Sequence, residues 1–296
     1  MIKNINTDQK VILIANTSKY LFHYRFLLIK KINSLFKNSF ALSPIDKYSN
    51  ELNKIVKHLP WYLPYKDDFN PIKLINSFLK LFLIVKSIRP SLVHSHTLKP
   101  NLLISIINLF LGIKTVISFP GMGRLLMSKG LKKQLFNLIL KIIYFTSIYQ
   151  SYNYIFFKKN QKRVKFIFQN PIDLDFFIKT VNISYDEKKF KLIPGSGVPS
   201  FYFKSKKLNS SGLNKNFDFI YCARLEKSKG IKIFISLAEY YPSSRFYIYG
   251  ELKNNSKDCL SSEEIISFKK RNKNLFFMGY VQDPLLRHHN ENTIFL

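Results

Sequence analysis

Acidic residues are scarce in this chain. Against 47 Lys and Arg stand only 18 Asp and Glu among 296 residues, a formal net charge of +29. Cysteine is nearly absent as well. Cys222, on a segment read as a buried strand, and Cys259 give no disulfide framework, which fits a reducing compartment such as the cytoplasm. Residues Met1 to Lys10 lack the apolar core of a secretory signal. The nearest thing to a membrane span, Asn101 to Phe119, is interrupted by Asn108, Gly112 and Lys114. It reads as a helix, a glycine stop and a strand. No helix-turn-helix, zinc-finger or RNP-like pattern occurs, so charge is the only argument for nucleic acid and that partner is disfavoured. Two other readings of the charge stay open: an anionic membrane surface, and drift in a chain crowded with Lys, Asn, Ile and Phe.

What is present is core. Hydrophobic residues make up 46% of the chain, enough for two globular domains. Apolar β-prone runs alternate with helical periodicity, the pattern of parallel sheets with helical crossovers. Strands are expected near Val11–Ala15, Ser39–Leu42, Trp61–Leu63, Leu92–Ser95, Thr115–Ser118, Tyr154–Phe157 and Val164–Phe168. Helices are expected over Tyr20–Phe36, Pro71–Ile88, Asn101–Leu111 and Leu131–Ile148. After a polar stretch, 204–216, read as a linker or long loop, a second series begins at Phe217, with strands near Phe246–Tyr249, Leu275–Met278 and Thr293–Leu296. The expected division is therefore 1–203, 204–216 and 217–296.

The most informative segment is Tyr221-Cys-Ala-Arg-Leu-Glu-Lys-Ser-Lys-Gly230. A buried strand leads into it and a helix with Ile231, Phe234, Ile235 and Leu237 leads out. Arg224 and Lys229 thus lie between a strand's carboxyl end and a helix's N-terminus, where open α/β sheets bind ligands and backbone N–H groups favour anions. A guanidinium fork beside a lysine point charge suits a diphosphate. The plain alternative is a solvated charged turn.

The pattern has company in a fixed order: Asn16 to Lys30 after a first strand, Leu42 to Tyr48 after a second, His94-Ser-His-Thr-Leu-Lys-Pro-Asn101, Phe119-Pro-Gly-Met-Gly-Arg124, Phe168-Gln-Asn-Pro171 and Ile193-Pro-Gly-Ser-Gly-Val198. Together these resemble the retaining GT-B glycosyltransferases. The subgroup most resembled adds N-acetylhexosamines to undecaprenyl-diphosphate-linked sugars in bacterial glycan assembly. The resemblance covers nearly the whole chain. It implies an α/β, GT-B fold of two Rossmann-like domains with an interdomain cleft, the second incomplete. A UDP-sugar would be the donor, its diphosphate on Arg224 and Lys229, and no metal or other cofactor would be required.

The same resemblance places Arg25, His96, Lys99, Gly121 and Gly123 toward the acceptor, and Gly195, Ser196 and Gly197 at the donor or hinge region. Two of these have a plainer reading: a solvated helical arginine for Arg25 and a structural histidine for His96. His94 and His96 form an H-x-H pair without a third ligand at convincing spacing. Asp173-Leu-Asp175 mimics a D-x-D metal motif but reads as acidic residues in a helix's first turn. Pro120 stands where many relatives carry a histidine, and Pro199 where an aspartate is usual, so no catalytic residue is assigned.

Leu131 to Tyr149, with basic residues through Lys165, reads either as a helix packed on the sheet or as a surface for an anionic leaflet. The chain stops at Leu296 inside an expected strand, before the E-x7-E loop of the resembled family. This reads as a truncated or split coding sequence, inactive on its own. The competing functions are an inactive remnant and a basic membrane- or nucleic-acid-binding protein without catalysis. The expected location is the cytoplasmic face of the membrane, as a peripheral protein.

Overall fold

The computed structural model describes residues 7–64, 68, 70–152, 164–197, 217–251, 258–281, 284 and 293–296. The chain divides into two compact units, Met1–Tyr202 and Phe203–Leu296.

Seven parallel strands form the sheet of the first unit in the order β3-β2-β1-β4-β5-β6-β7. They are β1 (Lys10–Ile14), β2 (Asn38–Ser43), β3 (Lys57–Pro60), β4 (Leu92–His96), β5 (Lys114–Phe119), β6 (Val164–Phe168) and β7 (Phe190–Leu192). Between them run α1 (Ser18–Tyr24), α2 (Phe26–Leu35), α3 (Ser49–Asn53), α4 (Pro71–Ile88), α5 (Leu98–Leu111), α6 (Gly130–Tyr152) and α7 (Pro171–Val181). Alternation along β1 sends Val11 and Leu13 to a core with α1–α3, and Ile12 and Ile14 to a core with α4 and α5. A third cluster continues the second of these faces, packing Phe136, Leu140 and Ile143 of α6 and Phe177 of α7 on Ile117 and Phe166. The strand at Tyr154–Phe157 and the linker at 204–216 lie outside the described residues.

Local chemistry sets several boundaries. Asn70 caps α4 by accepting from the backbone N–H groups of Ile72 and Lys73 at 3.0 and 3.2 Å, and Pro71 takes the first helical position. Arg89 then turns left-handed ahead of Pro90, closing the helix where expected. Two expectations need correction. The helix over Tyr20–Phe36 is two helices, broken at Arg25, whose φ of −123° and ψ of 8° leave the helical region. The strand at Trp61–Leu63 lies earlier, at Lys57–Pro60. Trp61 is held by its side chain instead, buried and donating its indole N–H to the Ser77 carbonyl at 2.9 Å.

The second unit carries a parallel sheet in the order β10-β9-β8-β11, with β8 (Asp218–Cys222), β9 (Arg245–Tyr249), β10 (Leu275–Gly279) and β11 (Thr293–Phe295). Helices α8 (Ile231–Tyr240) and α9 (Ser262–Arg271) accompany it, and Ser261 with Glu264 forms a capping box on α9. Cys222, at the end of β8, is exposed rather than buried, and Cys259 is buried. Behind β9 the chain passes so close to β8 that a Cβ on Gly250 would lie 2.1 Å from the Ala223 carbonyl oxygen. Gly250→Ala is therefore expected to destabilise this unit by about 1–3 kcal/mol through overpacking, measured as a lowered urea midpoint. An unchanged midpoint would mean that the two strand ends separate freely.

Candidate functional site

In the first unit the crossovers leave β1 toward β2 and β4 toward β5, so a crevice opens at the carboxyl ends of β1 and β4, the topological switch point. The break between α1 and α2 delivers Arg25 there. Its Nε donates to Nδ1 of His96 at 3.3 Å, and its Nη1 to Ser196 Oγ at 2.8 Å and to the Tyr24 carbonyl at 3.2 Å. The guanidinium also lies 5.2 Å from the Tyr20 ring centroid. Arg25 is only 8% exposed, yet among the described residues it pairs with no carboxylate. A buried, always-charged group held only by neutral partners carries an uncompensated desolvation cost, and an anion would offset it.

The histidines beside it are held neutral. Burial, then the Arg25 charge, pushes His94 down to about 3. Burial, then His94 and Arg25, holds His96 well below the usual imidazole range. Since arginine only donates, Nδ1 of His96 accepts, and its proton sits on Nε2. Among the described residues that Nε2–H is buried without a partner, as are Ser95 Oγ in β4, Thr97 Oγ1 in the turn and Asn101 Oδ1 in the first turn of α5. Thr97 itself has φ of 71°, a strained value for a β-branched residue. Each unsatisfied buried group costs roughly 1–3 kcal/mol, and a strained Thr97 next to the orphaned Nε2–H of His96 is the signature of a site that a ligand completes. The rings of His94 and His96 stand 4.1 Å apart, and His94 Nε2 meets Ser118 Oγ at 2.7 Å. Among the described residues no cluster of three His, Cys, Asp or Glu is placed to hold a metal.

Ser196 reaches Arg25 from the loop after β7. Gly195 and Gly197 flank it at φ of 66° and 75°, conformations that glycine adopts freely, so the loop can turn sharply on both sides of the serine. Gln169 braces it by donating to the Gly195 carbonyl at 3.3 Å. Lys99 does not join this group. Its buried Nζ donates to the carbonyls of Pro64 and Asp68 at 3.3 and 2.6 Å, fastening the segment before α4. The Gly121-Met-Gly123 turn is fixed from behind: buried Asp173 accepts the Met122 N–H at 3.0 Å and an Asn170 amide N–H at 2.7 Å. With Asn170 as its cap and Pro171 in its first turn, α7 starts as the sequence implies, and Asp173 is a brace for the turn.

In the second unit Arg224 and Lys229 flank the turn from β8 to α8. Arg224 Nη1 meets Glu226 Oε1 at 2.7 Å. Glu226 is 1% exposed, whereas the Arg224 side chain is 45% exposed, so the buried carboxylate aims a guanidinium whose remaining donors face solvent. The Arg224 carbonyl accepts from Tyr221 Oη at 3.0 Å, which fixes the backbone beneath. Lys229 closes a short 3-10 turn, Lys227–Lys229, immediately before α8. Its exposed ammonium has no partner among the described residues, while neighbouring Lys232 pairs with Glu264 at 3.1 Å. Sequence reasoning passed over Glu226, although its position two residues after Arg224, inside an otherwise basic turn, was a visible signal.

No protein-family model matches this chain, and no curated protein matches its sequence significantly. Solved structures do match in fold. The chain resembles Anabaena HepE, solved in complex with UDP and glucose, at 14% identity and a TM-score of 0.63, with 93% of this chain and 70% of that one covered. It resembles sucrose-phosphate synthase from Thermosynechococcus elongatus at 10% identity and a TM-score of 0.61, covering 92% and 71%. It also resembles UDP-GlcNAc 2-epimerase from Neisseria meningitidis, bound to UDP-GlcNAc, at 12% identity and a TM-score of 0.53, covering 93% and 73%. At such identities the likeness is one of fold, and the fold is α/β of the GT-B type with a parallel sheet in each unit.

Proposed function

We propose that this chain is a glycosyltransferase that takes a sugar from a UDP-sugar donor and places it on a lipid-linked saccharide. The observation that carries the reading is the β8–α8 turn, where a buried glutamate aims Arg224 outward and exposed Lys229, unpaired among the described residues, ends the turn before α8. Such a turn supplies two positive charges and helix N–H groups to a diphosphate. The fold is shared with HepE, a protein solved in complex with UDP-glucose. As the bond from the anomeric carbon to the β-phosphate oxygen breaks, the departing UDP takes the electron pair. Arg224 and Lys229 stabilise that negative charge. The acceptor hydroxyl oxygen then bonds to the anomeric carbon, with retention of configuration, and its proton leaves with the diphosphate. Arg25 and neutral His96 receive the acceptor's anionic group, the first through its charge and the second through Nε2–H. The resemblance in the sequence motifs favours an N-acetylhexosamine donor and a polyprenyl-diphosphate-linked acceptor at the inner face of the membrane.

Charge-assisted hydrogen bonds contribute roughly 1.5–3 kcal/mol each, so Lys229→Ala should weaken UDP binding at least tenfold by calorimetry. Arg224→Ala alone would strand the buried Glu226 carboxylate, so its clean comparison is Arg224→Ala with Glu226→Gln, for which the same loss is expected. Unchanged UDP affinity in both variants would overturn the donor assignment.

A further inference from the structure

The layer formed by α4, α5 and α6 has an outer surface of unusual composition. These helices of 18, 14 and 23 residues contain no aspartate or glutamate, but seven lysines. The expected stripe Leu131, Leu135, Leu138, Ile139 and Ile142 on α6 divides: Ile139 joins the core, whereas Leu131, Leu135 and Leu138 do not pack on the sheet. Leu131 is 82% exposed, and Leu135, Leu138, Phe145 and Tyr149 continue the exposed stripe to the far end of the helix. A different face, carrying Phe136, Leu140 and Ile143, fills the core. On α4, Ile72, Ile75, Leu79 and Leu83 form a second exposed apolar stripe, while Leu81 and Val85 are buried.

The stripes are joined across α5. Phe82 of α4 meets Phe110 of α5 with ring centroids 6.3 Å apart. Leu109 of α5 lines an apolar groove of about 480 Å³ with Phe145 and Tyr149 of α6. Continuous exposed apolar surface of this extent marks an interaction site. Lys80 and Lys86 on α4, and Lys132 and Lys141 on α6, are exposed around it and make no ion pair among the described residues.

We infer that this three-helix layer docks on an anionic lipid bilayer, with the leucine and phenylalanine side chains entering the interface and the lysines meeting headgroups. Lipid, rather than protein, is favoured by the charge pattern: a bilayer offers apolar depth beneath uniformly negative headgroups, and a layer without a single acid matches that over its whole width. Among the described residues no helix is long and apolar enough to cross a membrane, so the layer lies in the interface. The surface goes beyond the glycosyl-transfer reading and does not depend on it.

The test is cosedimentation of the full chain with phosphatidylcholine vesicles with and without phosphatidylglycerol, at low and high salt. Binding is expected only with the anionic lipid and is expected to fall steeply with salt. Each cation near such a surface contributes roughly a factor of five, so Lys80→Gln, Lys132→Gln and Lys141→Gln together should weaken binding about 100-fold. Leu131→Asp with Leu138→Asp changes only exposed positions and should abolish binding while leaving the circular dichroism spectrum intact. Tyr240→Asp, exposed on the second unit, should change nothing. Binding that survives Leu131→Asp with Leu138→Asp would overturn the inference. So would a chain that ignores vesicles but forms a dimer which those two substitutions dissociate, since the face would then join two copies.

Discussion

Arg25→Met is expected to lower transfer at least 100-fold while costing the fold little. Breaking a buried ion pair typically costs 3–5 kcal/mol because a lone charge is left behind, but among the described residues Arg25 has no carboxylate to abandon. Methionine fills much of the same volume with an apolar, adaptable chain, and His96 can move its proton to Nδ1 once the arginine is gone. The change in unfolding free energy should therefore stay within about 1 kcal/mol, or favour the variant. Transfer should collapse, because a charge held ready for an anion acts where water is excluded. Arg25→Lys should keep part of the rate, since it supplies the charge without the fork. Initial rates with a lipid-linked acceptor, together with urea unfolding, check this. Full activity, or a stability loss of several kcal/mol, would make Arg25 a structural arginine.

A steep loss of stability in mild acid is the second large effect. His94, depressed to about 3, and His96, well below its usual range, both remain neutral when folded. The unfolded chain binds these protons near pH 6.5 and the native chain does not, so the stability they confer is complete above 6.5. It is lost as pH falls from there toward the folded values. For His94 alone the loss reaches about 2 kcal/mol by pH 5, and His96 adds to it in the same direction. Partly buried His23 and His58, also lowered chiefly by burial, add smaller amounts. Urea midpoints between pH 7 and 5 should fall steeply for the native sequence and less steeply for His94→Gln with His96→Asn. Equal slopes would mean that the pair is protonated in the folded protein.

Features set by a few neighbouring residues were legible in the sequence. Pro71 and Pro90 bracket α4, and the apolar, β-prone runs around Val11–Ile14, Val164–Phe168 and Asp218–Cys222 mark strands whose ladders the structure contains. Features set by tertiary contacts were not. Nothing between Tyr20 and Phe36 disfavours a single helix, and the break at Arg25 is stabilised by His96 and Ser196, 71 and 171 residues away. The period of α6 was readable but not its orientation, because Leu131–Leu138 and Phe136–Ile143 both make apolar stripes and only the sheet chooses between them. Lys99 looked available because its partners are backbone carbonyls, which no side-chain pattern announces.

The central claim is donor chemistry, and the most direct measurement follows both substrates at once. The full-length product of the coding sequence is incubated with a panel of UDP-sugars and a polyprenyl-diphosphate-linked saccharide, with UDP release and acceptor mass recorded together. The account predicts UDP released in step with an acceptor heavier by one sugar residue, lost together in Lys229→Ala. A UDP-sugar recovered with an inverted stereocentre and no free UDP would place the chain with the epimerase chemistry that the same fold supports, and would contradict the account.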